Sequence, residues 1–193
     1  MMRILRWCLL LGAALAVVLS TGIFVHFGLD RIRRERMRAE CEPLIAQSAR
    51  RHHVSRALIA AVIQQESRFD SRARGGAGEV GLMQITHHAI ADWAHRMDMP
   101  APGKYLAHDP AWNIEVGAWY LGRALERWRG YADSEVLALA EYNAGPTHAR
   151  RWAPEIAGAS ALDNVSFPGT RRYINRVLSF RMRFDEDSRN AQK

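Results

Sequence analysis

The chain has 193 residues, a net charge of +7 and 48% hydrophobic residues, enough for one globular domain plus an appendage. Almost all of the positive charge is arginine, the only lysines being Lys104 and Lys193. Such a surface suits a polyanion (nucleic acid, anionic lipid or acidic cell-wall polymer), but no zinc-finger spacing, Walker loop or RNA-binding aromatic signature selects nucleic acid. Cys8 and Cys41 are separated by a long apolar stretch, which excludes a disulfide-stapled scaffold.

Trp7 to Leu29 carries no formal charge. At about 1.5 Å per residue this run is long enough to cross a bilayer core of about 30 Å. The expectation is an uncleaved transmembrane helix over residues 7–29. A cleaved signal peptide is the rival, since Ala14-Leu15-Ala16 offers a small-residue pattern. That triplet lies inside the run, however, and Val17 to Val25 would stay apolar after cleavage. Arg3 and Arg6 precede the span, whereas Arg31, Arg33, Arg34, Arg36 and Arg38 follow it. A positive-inside count therefore puts the rest of the chain in the cytoplasm.

The expected organisation is an anchor over residues 1–30, a charged connector over 31–43, a helical domain over 44–184 and a polar, frayed tail over 185–193. Leu44, Ile45, Ser48 and Ala49 mark a short helix after Pro43. Ser55 is the expected N-cap of a helix from Leu58 to Glu66, and Thr86 of one through Ile90, Trp93, Ala94 and Met97. Ile114, Gly117, Ala118, Leu121, Leu125 and Trp128 outline a long amphipathic helix. Ser134 opens another, stopped at Gly145-Pro146, and a last helix spans about Arg171 to Arg183. No run alternates as a half-buried strand does, so the class is mainly α.

Ile59, Val62, Ile63 and Glu66 follow the i, i+3, i+4, i+7 spacing and share one helix face. Burial and the negative end of the helix dipole both disfavour an ionised Glu66 and favour a general acid near neutral pH. The alternative is a last-turn glutamate turned into solvent. Gly75 to Gln84 is a glycine-rich loop feeding a helix, without the Lys-Ser/Thr ending of a phosphate cradle. Ala140-Glu141-Tyr142-Asn143-Ala144-Gly145-Pro146 ends a helix with a phenol and an amide. His52-His53 and His87-His88 are adjacent pairs that diverge by about 100° on a helix, so no metal is implied.

Glu66-Ser67-Arg68-Phe69-Asp70-Ser71, then Gly81-Leu82-Met83-Gln84-Ile85, then Ala140 to Pro146 resemble, in order and spacing, the motif set of the soluble-lytic-transglycosylase (SLT) domain, of the lysozyme-like superfamily. The resemblance runs from about Leu44 to Phe184 and takes in Asp109-Pro110 with Asn113, Ile114 and Gly117. It implies a lysozyme-like helical domain that cleaves the β-1,4 bond between N-acetylmuramic acid and N-acetylglucosamine in peptidoglycan. By this likeness Glu66 is the single catalytic acid, and the product is a 1,6-anhydro sugar formed without water, cofactor or metal. Ser67 and Tyr142 would orient the carboxyl. Gly81, Met83, Gln84, Asn143 and Tyr173 would line the sugar groove. Two features depart from the family pattern: a longer loop carrying Glu79, and Gly169 where an acid usually precedes the threonine.

The implied partner is the glycan strand, with the membrane engaged through residues 7–29. That substrate sets the domain on the periplasmic side of the inner membrane, against the arginine count. Protein partners are not indicated, and no recognition helix supports nucleic acid. Two other functions remain open. One is a hydrolytic muramidase with Asp70 or Glu79 as second carboxylate. The other is a non-catalytic peptidoglycan-binding module of an envelope-spanning complex.

Overall fold

The structure is a computed structural model that describes residues 2–100 and 103–190, with side chains described for 20–22, 24–100, 103 and 106–190. Among the described residues seven α-helices follow one another: α1 (Met2–His52), α2 (Arg56–Glu66), α3 (His87–Arg96), α4 (Pro110–Arg127), α5 (Ser134–Ala144), α6 (Pro146–Trp152) and α7 (Pro168–Asn190). Short 3₁₀ turns occupy Lys104–His108 and Leu162–Asn164. Among the described residues the only β pairing is two isolated antiparallel bridges, Arg74 with Val80 and Val80 with Ile85.

The chain divides into two units, residues 1–39 and 40–193. In the first, Phe24, Val25, Phe27 and Leu29 are exposed, and Arg31–Glu35 and Arg34–Asp30 pair one turn apart on the helix surface. Among the described residues no helix is long and apolar enough to cross a membrane. The expected span over 7–29 falls largely on residues 7–19 and 23, whose side chains lie outside the described residues.

In the second unit, Cys41, Ile45, Ser48 and Ala49 are the buried stripe at the end of α1. A separate helix after Pro43 was expected; instead Pro43 sits inside α1. The carbonyl at position 39, deprived of its N–H partner by proline, belongs to an exposed residue and can bond to water. Glu115 of α4 ties this end down. Its carboxylate accepts from Ser48 Oγ (2.9 Å), His52 Nε2 (2.8 Å) and Arg51 Nη1 (2.7 Å). Burial alone would raise its pKa, but these bonds outweigh it and draw the carboxyl down to about 2.

Helix α2 is the axis of the domain. Ser55 accepts from Leu58 N–H as its N-cap (3.1 Å), and seven consecutive residues, Ala57 to Ile63, are buried. A helix apolar all round must be enclosed, and α2 packs most extensively against α7. Helix α5, with Val136 to Ala140 buried, packs against α4, α6 and α7. Thr86 caps α3 through Ala89 N–H, and Asp109 caps α4 through Ala111 and Trp112 N–H.

Two ends differ from expectation. Gly145, at φ +86°, does stop α5, but Pro146 at once begins α6, because proline's fixed φ suits the first helical position. The frayed tail expected from Asp185 is helical through Asn190. The Arg181–Asp185 pair (3.4 Å) and the bond from Ser188 Oγ to the Phe184 carbonyl (2.8 Å) support that extension.

Candidate active site

Glu66 is the last residue of α2, and the chain turns sharply after it. Ser67 and Arg68 N–H both reach the Ile63 carbonyl (3.0 and 3.1 Å). Arg68 and Phe69 then adopt positive φ, 54° and 63°. Two such residues in succession store backbone strain, held here by burial of Phe69. The carboxyl is thus fixed at a helix end, facing into the domain.

Its environment favours the protonated form. Burial is the largest effect, the negative charge of Glu79 adds to it, and a hydrogen bond from Tyr173 opposes both; the result is a carboxyl pushed up to about 7. Tyr173 Oη donates to Glu66 Oε1 at 2.8 Å. Its own pKa is raised well above the usual value by burial and the Glu66 charge, so it remains a donor across the neutral range. Tyr173→Phe removes a bond that favours the charged carboxylate. The expected result is a basic limb of the pH–rate profile displaced to higher pH, with kcat lower by about tenfold from loss of carboxyl positioning.

The other expected site residues divide. Tyr142 does not touch the carboxyl through a hydrogen bond: its Oη donates to the Met83 carbonyl at 2.8 Å. It is still close enough for the Glu66 charge to raise its pKa, after burial. Ser67 Oγ donates to the Ile63 carbonyl (3.2 Å) and finishes the helix; the bond to the carboxyl expected of it is not made. Met83, expected as a groove wall, is fully buried. Its backbone is engaged on both sides, by Asn113 and Tyr142. Its sulfur lies against Gly117, where a Cβ would come within 2.5 Å of it.

Gln84 adopts φ 49° and donates from Nε2 to the Gly81 carbonyl (2.9 Å). With Tyr142 it lines a cavity of ≈630 Å³. Gly81 has φ +78°, and a Cβ there would lie 2.2 Å from Asn113 Nδ2, so both conformation and space demand glycine. Asn143 Oδ1 accepts from Thr170 Oγ1 at 2.8 Å. Asn143, Thr170, Tyr173 and Gln65 border a second cavity, of ≈450 Å³. The two tyrosines nearest Glu66 therefore belong to different cavities.

Asn113 has a role that was not read from the sequence. Wholly buried, it accepts from Met83 N–H (2.7 Å) and donates to the carbonyls of Val80 (2.9 Å) and Ala107 (2.7 Å). Two of these bonds hold the Val80–Met83 loop, and the third ties the same amide to Ala107. The available signal was a polar residue beside Ile114 on the buried face of a helix. Of the acids considered as second carboxylates, Asp70 accepts from Arg72 N–H in its own turn (2.9 Å). Glu79 accepts from Ala77 N–H (2.9 Å) and acts electrostatically on Glu66.

Fold and site together define a mainly α, lysozyme-like domain built around one partly buried acid. The Transglycosylase SLT domain family matches residues 43–161, more than half of the chain, and the chain belongs to that family. A soluble lytic murein transglycosylase of Salmonella typhimurium is 28% identical over 76% of this chain and 23% of its own length. Membrane-bound lytic murein transglycosylase C of Yersinia enterocolitica is 37% identical over 53% of this chain and 30% of its own. The crystal structure of an inactive mutant of lytic transglycosylase Slt from Pseudomonas aeruginosa superposes with a TM-score of 0.69 at 28% identity, over 76% of this chain and 24% of that one. The chain thus spans about a quarter of the length of these relatives.

Proposed function

We propose that this domain is a peptidoglycan lytic transglycosylase, anchored by residues 7–29 in the inner membrane with the catalytic domain in the periplasm. The observation that carries the catalytic reading is the Glu66 carboxyl at the end of α2, enclosed there and accepting from Tyr173 Oη, with burial pushing it up to about 7. A carboxyl that titrates near 7 keeps a large protonated fraction near neutral pH and still releases its proton in the transition state. Glu66 gives that proton to the glycosidic oxygen as the bond to the muramoyl C1 breaks. The resulting carboxylate takes the proton of the C6 hydroxyl as that oxygen closes on C1. The N-acetyl carbonyl of the same sugar shields C1 from behind, the part a second carboxylate plays in ordinary glycosidases. No water is consumed, and Glu66 ends protonated.

Glu79 favours one second reading, hydrolysis, since it is an acid that acts on Glu66 and a base for water needs a carboxylate across the sugar. Mass spectrometry of the products from purified sacculi separates the two. Transglycosylation leaves anhydro ends one water lighter than reducing ends, and that is the result expected. Reducing ends alone would assign the chemistry to hydrolysis.

A further inference from the structure

The loop between α2 and α3 sets two hydrogen-bond acceptors side by side, with no protein donor bridging them. Gly75 N–H reaches the Glu79 carbonyl (2.8 Å), Gly81 N–H reaches the Ala73 carbonyl (2.9 Å), and Arg74 bridges to Val80. Residues 73–81 therefore fold back as a tight turn. Within it Glu79 Oε2 accepts from Ala77 N–H at 2.9 Å, and among the described residues no cation pairs with this carboxylate. Gln84 commits its amide nitrogen to the Gly81 carbonyl (2.9 Å), and its Oε1 receives no donor among the described residues. A Cβ on Gly75 would lie 2.3 Å from Glu79 Oε2 and 2.9 Å from Gln84 Oε1, so only a bare Cα lets the two oxygens come together. An arrangement of acceptors alone is satisfied by a group that donates. Gln84 lines the ≈630 Å³ cavity, and the charge of Glu79 is felt at Glu66, which puts the pair beside the acid.

We infer that Glu79, with Gln84 Oε1 beside it, accepts the acetamido N–H of the muramoyl sugar under attack and stabilises the cation formed as the acetamido oxygen closes on C1. The inference rests on the transglycosylase reading above. In that step the C1 bond to the glycosidic oxygen breaks, and that oxygen takes the Glu66 proton. A lone pair of the acetamido oxygen forms a new bond to C1, leaving positive charge on a five-membered ring that carries the N–H. A carboxylate accepting from this N–H gains strength as the charge grows, which lowers a barrier and does not merely tighten binding. The sugar's other donors carry no charge at this stage. The C6 hydroxyl then attacks C1, its proton returns to Glu66, and the C1 bond to the acetamido oxygen breaks. The amide is restored with its N–H still in place. The cation also resolves an electrostatic conflict. The Glu79 charge opposes the ionisation of Glu66 that proton transfer requires, and positive charge formed beside Glu79 offsets it.

The test compares the full chain with Glu79→Gln, which keeps an oxygen for Ala77 N–H but removes the charge and turns a donor toward the acetamide. The probe is a muramoyl thiazoline, in which sulfur replaces the acetamido oxygen closed on C1 and the ring nitrogen, protonated on binding, stands for the N–H. In Glu79→Gln the thiazoline Kd should weaken by about a hundredfold and kcat should fall by about as much. KM, and the Kd of the same disaccharide with an open acetamide, should change by no more than about threefold. An unchanged thiazoline Kd, with or without a loss of kcat, would leave Glu79 acting only through its charge on Glu66 and overturns the inference. Equal weakening for the thiazoline and the open sugar would make Glu79 a structural residue and overturns it as well. In both cases anhydro ends released by the unmodified chain keep the catalytic reading in place. If the unmodified chain releases no anhydro ends, the catalytic reading fails and the inference with it.

Discussion

Glu66→Gln should abolish wall cleavage, lowering kcat by at least about a thousandfold, while binding to insoluble peptidoglycan persists. Glutamine keeps the size of the side chain and an oxygen to accept from Tyr173, but has no proton to give to a glycosidic oxygen. A non-catalytic binding module would show no difference between the two proteins. The same substitution has a stability signature whose sign follows from the raised pKa. Between the ordinary value of 4.5 and about 7 the folded chain holds a proton that the unfolded chain has lost. Stability therefore falls as pH rises through that window, by a ceiling of roughly 3 kcal/mol. Glutamine removes this dependence. The variant should melt higher than the unmodified chain at pH 8, with the gain shrinking towards pH 4. The turnover of the unmodified chain should decline above about pH 7, as Glu66 loses its proton.

The second large effect is expected at Asn113. Replacing it by alanine strands Met83 N–H without a partner, removes bonds to the carbonyls of Val80 and Ala107, and opens a small cavity where the amide stood. A buried donor or acceptor left unpaired costs about 1–3 kcal/mol. The Val80 carbonyl keeps its bond from Ile85 N–H, so the expected total is about 3–5 kcal/mol. Urea unfolding, analysed by linear extrapolation, measures it. Activity should fall as well, because the loop that Asn113 holds carries Gln84 and the carbonyl that receives Tyr142. Aspartate should not rescue, since its second oxygen would face two carbonyls. A loss below about 1 kcal/mol would mean that water or another side chain replaces the amide.

What the sequence made legible follows from local chemistry. Ser55 and Thr86 cap the helices expected of them because the N-cap bond spans only three residues. Glu66 falls on the buried face because the apolar spacing places it there. The division of labour among the tyrosines was not legible. The resemblance implies Tyr142 beside the acid and Tyr173 in the groove, but which hydroxyl reaches the carboxyl depends on how α5 and α7 pack. Met83 was misread for a related reason: a methionine in a loop looks like groove lining until the glycine beneath it, Gly117, is seen to receive its sulfur. Asn113 was hidden because its partners lie up to 33 residues away.

The account depends most on the Glu66 carboxyl holding its proton near neutral pH. Carbon-13 NMR of the protein labelled at glutamate side-chain carboxyls, with Glu66→Gln to assign the resonance, reads this directly. The prediction is a midpoint near 7, moving upward in Tyr173→Phe. A midpoint at the ordinary 4.5, unmoved by the loss of the Tyr173 hydroxyl, would contradict the mechanism.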